Sequence, residues 1–129
     1  MKQSFIVLGE GLTDLYEFKA LLEYNHERIS KVVCFHTPNS PNKKSSAAIV
    51  MNPTEGQYFQ GIYIMINAFN YPYPESNKKY DMISSWAQSN GVKVYEIDVK
   101  PPEDYHELPL YFNYLTSVLR LQSWIPPLI

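Results

Sequence analysis

Two short, unbroken apolar runs, Phe5-Ile-Val-Leu8 and Val32-Val-Cys-Phe35, stand on either side of a segment with helical period. A run of that length with β-branched and aromatic content reads as a strand buried on both faces. Strand, helix and second strand together predict a sheet covered by helices, because parallel strands need a crossover that a helix supplies. The first strand is expected to be buried and to enter a turn at Gly9 and Gly11. The helix is drawn over residues 14–25, where Leu15, Phe18, Leu21 and Leu22 make one apolar face and Asp14 and Glu17 have the spacing of a capping box. Residues 31–36 are expected to form an interior strand.

Residues 47–52 and 58–66 are apolar and partly alternating, and the Pro53-Thr-Glu-Gly56 segment between them carries turn chemistry, which predicts an antiparallel hairpin. A second helix starts after Ser76 or Asn77, places Tyr80, Ile83, Trp86 and Ala87 on one face and ends at Gly91. A fifth strand spans 92–99. A third helix begins near Leu108 after Asp104 and Glu107, again spaced as a capping box, and its Leu108, Tyr111, Phe112, Leu115, Val118, Leu119 and Gln122 form the strongest amphipathic pattern in the chain. Residues 37–46 read as a mobile surface loop and 70–77 as a proline-broken one. The tail over 124–129 is too apolar to expect free in water, so it packs back or binds something. The order β-α-β-β-β-α-β-α predicts one α/β or α+β domain over residues 1–129, a mixed sheet of about five strands with three helices. Phe18, Val33, Ile97, Leu115 and Leu119 are the expected core.

Charge and cysteine content narrow the function classes. A net charge of -2 offers no broad attraction to phosphate, and the only dense basic patches are Lys43-Lys44 and Lys78-Lys79, so nucleic acid is not an expected partner. The single cysteine, Cys34, leaves no disulfide framework and points to a reducing, cytoplasmic setting. No apolar stretch approaches the roughly 20 residues of a membrane span, so no membrane association is expected.

Three segments could carry chemistry. Gly9-Glu-Gly-Leu-Thr-Asp14 follows a strand and opens a helix, the setting of a phosphate cradle, but Glu10 and Asp14 put negative charge where a phosphate would sit. A tight turn is the simpler reading, with a small-molecule sensor as the functional one. Glu96, Asp98 and Lys100 alternate along a strand and so share a face, as in metal-dependent phosphodiester hydrolases, yet the neighbouring strands supply no further acid. A solvent-facing stripe opposite Tyr95, Ile97 and Val99 explains the same alternation. Cys34 and His36 share a strand face without the further ligands that zinc requires, and His26 and His106 lie near helix ends, so neither a metal nor a cofactor is expected.

The loop Phe69-Asn-Tyr-Pro-Tyr-Pro74 sets three aromatics between prolines that restrict the backbone. Phe69, Tyr71 and Tyr73, with Trp124 of the tail, are the candidate binding residues, since aromatic anchors held outward lose little entropy on contact. A protein partner or a homo-oligomer is the expected occupant.

Phe5-Ile-Val-Leu-Gly-Glu-Gly11, Asn52-Pro53 with Tyr58-Phe-Gln-Gly-Ile-Tyr63, Asn77-Lys-Lys-Tyr-Asp81, Glu96-Ile-Asp-Val-Lys-Pro101 and the stretch from Tyr114-Leu115 to Ile125-Pro-Pro-Leu128 together resemble a family of short uncharacterised proteins from bacilli. The resemblance spans nearly the whole chain and implies a cytosolic bacterial setting with no functional residue to carry over. Some members look to have been labelled methylthioribose kinase. This chain has neither a kinase's length nor its phosphate loop or catalytic aspartate motif. The sequence reads best as a non-catalytic binding or regulatory domain acting through protein contacts.

Overall fold

The computed structural model describes residues 2–8, 14–40, 44–53, 56, 58–70 and 78–127. Its elements are β1 (Lys2–Val7), α1 (Asp14–Tyr24), β2 (Ile29–His36), β3 (Lys44–Met51), β4 (Phe59–Asn70), α2 (Lys78–Asn90), β5 (Val94–Asp98), a 3-10 turn over Pro102–Asp104 and α3 (Leu108–Leu121). The element order is the predicted one, and the fold is α+β.

The strands make one five-stranded mixed sheet in the order β1-β4-β3-β2-β5. β1 pairs with β4 and β2 with β5 in parallel, whereas β3 runs antiparallel to both neighbours. Each helical crossover therefore passes two strands: α1 joins β1 to β2 across β4 and β3, and α2 joins β4 to β5 across β3 and β2.

Alternation along the strands divides the core between two faces. Val32 and Cys34 of β2 pack with Phe18 and Leu22 of α1 and Ile83 of α2, whereas Val33 and Phe35 pack with Tyr111, Leu115 and Leu119 of α3. The sheet is thus covered on both sides, which is why β2 and β3 tolerate unbroken apolar runs. Gly91, at φ +66°, ends α2 as expected, and the Val92 amide turns back to Ala87 O at 2.9 Å.

Several expectations are corrected. β1 is an edge strand, with Val7 43% exposed, because an apolar run does not reveal whether both of its neighbours exist. Much of the expected loop over 37–46 is ordered: β3 begins at Lys44, Thr37, Ser40, Ser45 and Ser46 are buried, and the Thr37 amide donates to Lys44 O at 3.2 Å. Phe18, Val33, Leu115 and Leu119 are fully buried, while Ile97, on the edge strand β5, is only partly so. The Asp104–Glu107 capping box does not form; Glu107 is the N-cap of α3 without a side-chain hydrogen bond, and Asp104 belongs to the preceding turn. The tail packs back through Ile125, 3% exposed.

Candidate functional site

β2 and β5 run parallel and in register, pairing Cys34 with Glu96 and His36 with Asp98. In open sheets with helical crossovers, ligands gather at the carboxyl ends of parallel strands, where chain leaves the sheet and side chains converge without filling the core. That end of β2 and β5 carries His36, Asp98 and, just beyond, Lys100.

His36 is 4% exposed and engaged at both ring nitrogens, Nδ1 with Ser45 Oγ at 2.6 Å and Nε2 with Glu96 Oε1 at 3.0 Å. The Tyr80 hydroxyl donates to Glu96 Oε2 at 3.4 Å, and the Tyr80 ring meets Phe69 edge to face at 5.8 Å between centroids. Burial pushes the Tyr80 hydroxyl above its ordinary pKa, and the Glu96 charge adds to the effect. A register shift places Ser45 opposite Phe69 and Ala47 opposite Met65, so β4 bulges beside this cluster.

The hydrogen-bonded series Ser45–His36–Glu96 resembles a hydrolytic triad, but Ser45 has no exposed surface and cannot meet a substrate. The chain of bonds instead fixes the imidazole and, through it, one oxygen of Glu96. Glu96 keeps 41% of its side-chain surface open to water.

Two hollows meet at Asp98. One, of about 340 Å³, is lined by His36, Glu96, Ile97 and Asp98; the other, of about 540 Å³, by residues that include Asn39, Asp98, Lys100, Asp104 and Tyr114. The Lys100 amide donates to the Tyr114 hydroxyl at 2.9 Å, tying the end of β5 to α3.

Glu96, Asp98 and Lys100 are all exposed, as their alternation predicts, and they border this cleft. Glu96, however, is drawn toward His36 and Tyr80, and Lys100 lies past the end of the strand. Among the described residues no three histidine, cysteine, aspartate or glutamate side chains converge as a metal site. The aromatic candidates are scattered. Phe69 lies in β4, 5% exposed, which corrects its expected place on an outward loop; the bulge turns it under α2. Tyr71 and Tyr73, like the glycine turn over 9–13, lie outside the described residues. Trp124 is partly buried with its ring 4.8 Å from that of Tyr95. Sequence reasoning missed Ser45, Tyr80 and Asp104 as neighbours of the cleft; the only available signal was a histidine and a serine pair on strands whose adjacency had to be known first.

Comparison with known proteins adds a family. Residues 1–125 match the family described as a domain of unknown function (DUF7147), and the chain belongs to it. No curated protein and no solved structure matches the chain. The expected kinship with an uncharacterised family holds at that level.

Proposed function

We propose that this is a non-catalytic binding domain that seats a small polar, cationic or polyhydroxylated ligand at the carboxyl ends of β2 and β5. The supporting observation is Asp98, an exposed carboxylate shared by the hollows of about 340 and 540 Å³. Glu96, Asp98 and Asp104 offer acceptors along that cleft to a ligand rich in N–H or O–H donors. Catalysis has less support, because Ser45 is sealed and His36 is occupied at both nitrogens. A regulatory role, read through α3 by way of the Lys100–Tyr114 hydrogen bond, is the sensor form of the same reading.

Protein contact, self-association included, is a second reading, favoured by large apolar side chains left in water: Leu121 at 83% exposure and Leu110 at 46%. A bacterial cytoplasmic setting belongs to the proposal as well, since a chain with one cysteine, Cys34, buried in the sheet, makes no internal disulfide.

The test is a thermal-shift screen of diamines, amino acids and sugars, followed by calorimetry on the wild type and on Asp98→Asn. A hit whose affinity falls at least tenfold in the variant is expected, and a hit indifferent to the substitution would end the proposal for this cleft. Calorimetric heat with magnesium or manganese that disappears in Asp98→Ala would put the hydrolase built on Glu96, Asp98 and Lys100 in its place. Sedimentation of the wild type and of a Tyr71→Ser/Tyr73→Ser variant tests self-association.

A further inference from the structure

At the opposite end of the sheet, where β2 and β4 begin, the C-terminal segment closes over a third hollow. α3 ends in a backbone turn in which the Ser123 amide donates to Arg120 O at 3.0 Å and the Trp124 amide to Leu119 O at 2.9 Å. Ser123 takes the left-handed conformation, φ 60°, that glycine usually supplies at this position. The chain thereby reverses, and Trp124 O accepts from Lys31 Nζ at 2.7 Å. Gln3 fastens the far side, donating to Gln60 Oε1 at 3.0 Å and to Pro126 O at 2.9 Å while accepting from Arg120 Nε and Nη2 at 3.0 and 2.8 Å.

The hollow has a volume of about 500 Å³, and none of the residues lining it is acidic, although acids outnumber lysine and arginine in this chain, 13 to 11. Lys31 and Arg120 both line it, and neither is within ion-pair distance of a carboxylate among the described residues. The Lys31 ammonium gives one hydrogen to Trp124 O, and the Arg120 Nη1 group makes no hydrogen bond among the described residues. Burial also lowers the Lys31 pKa, the mark of a cation held partly out of water without a counter-charge. Ser30, Asn52 and Ser123 add donors, and Trp124 and the prolines add an apolar wall.

We propose that this hollow is a binding site for a small organic anion, a carboxylate or phosphate group carried on a ring or short apolar body. The anionic head sits between Lys31 and Arg120, whose guanidinium matches a planar or tetrahedral oxyanion, and the body lies against Trp124. The site is independent of the cleft at Asp98, and either can fail alone.

Benzoate, phenyl phosphate and neutral phenol serve as probes, titrated into the full chain by calorimetry and by nitrogen–proton correlation spectra. At least one of the two anions is expected to bind and to shift the Trp124 indole signal, with phenol inert; benzoate alone identifies a carboxylate head, phenyl phosphate alone a phosphate. Lys31→Gln should weaken binding at least tenfold, and Arg120→Lys, which keeps charge but loses the fork, should weaken it less. Asp98→Asn should leave it unchanged. No binding of either anion at millimolar concentration, binding of phenol equal to that of the anions, or full affinity in Lys31→Gln would overturn the proposal.

Discussion

The two faces of the sheet are built from the same strands and differ in how completely their buried polar groups are matched. Against α3 the core is mostly rings and aliphatics: Phe5 stacks on Phe112 with centroids 4.8 Å apart, Tyr105 and Tyr114 lie within 5.6 and 6.2 Å of Tyr111, and Leu115 and Leu119 are fully buried, while the buried Gln60 and Thr116 donate to Met51 O and Phe112 O. That face leaves a buried hydroxyl, Tyr111 Oη, without a hydrogen-bond partner among the described residues. Against α1 and α2 the polar groups enter at one end, and His36 and Glu96 are joined to Ser45 and Tyr80. A neutral orphan costs about 1–3 kcal/mol, which dense aromatic packing can outweigh, since favourable ring pairs each contribute roughly 0.5–1.5 kcal/mol beyond the area they bury. An imidazole and a carboxylate at the margin of a core are costlier to leave unmatched, so that side is completed bond by bond.

The contrast breaks first at Leu115. Leu115→Ala should cost about 2–5 kcal/mol in urea unfolding, because the leucine is fully buried in the α3 face. A midpoint equal to that of the wild type would mean that α3 does not hold its side of the sheet together. Ser45→Ala tests the other side. Removing the hydroxyl deletes the hydrogen bond between Ser45 Oγ and His36 Nδ1 inside the core, so a loss of roughly 1–3 kcal/mol is expected, together with a changed imidazole nitrogen spectrum. Unchanged stability and spectrum would show that the bond does no structural service.

The smallest effect has the opposite sign. Tyr111→Phe deletes the orphan and should raise stability by about 1 kcal/mol. Burial, the main cause, raises the Tyr111 hydroxyl above its ordinary pKa of 10.0, with the neighbouring Tyr114, Glu103 and Tyr105 adding to it. A raised value favours the protonated folded state, so the tyrosine's contribution is intact below pH 10.0 and is lost as pH climbs from there through the folded value. The phenylalanine variant lacks that loss and should unfold at higher pH than the wild type; a lower alkaline midpoint would show that the hydroxyl has a partner after all.

What could be read in the chain follows from what period and turn chemistry encode. The β3–β4 hairpin, the capping glycine at Gly91 and the middle of the α3 stripe, Tyr111, Leu115 and Leu119, depend on neighbours a few residues away and emerge where expected, whereas the expected ends of that stripe, Leu108 and Gln122, are exposed because the sheet does not reach them. So does the outward set of Glu96 and Asp98. Edge and interior were not legible, because Phe5-Ile-Val-Leu8 and Val32-Val-Cys-Phe35 are equally apolar and only strand order makes one an edge. Ser45 and Ser46 looked like loop because their burial is set by partners on β2 and β4, and Phe69 looked exposed because a bulge, not alternation, decides where it points. The His36 cluster needs β2 between β3 and β5, an order that local sequence does not contain.

The position of β1 also has a consequence for how the chain is made. Of the five strands β1 is made first, and among the described residues it pairs only with β4, its register running from Lys2 opposite Phe59 to Val7 opposite Ile64. The Gln3–Gln60 contact spans 57 residues, and at elongation rates of about 5–20 residues per second β1 has no ladder for roughly 3–11 s. During that interval Phe5, Ile6 and Val7 are an apolar, β-prone segment without its sheet partner, of the kind that invites pairing between chains. An edge strand is thus synthesised well before the strand it pairs with, and the nascent chain carries that segment unpaired until β4 arrives.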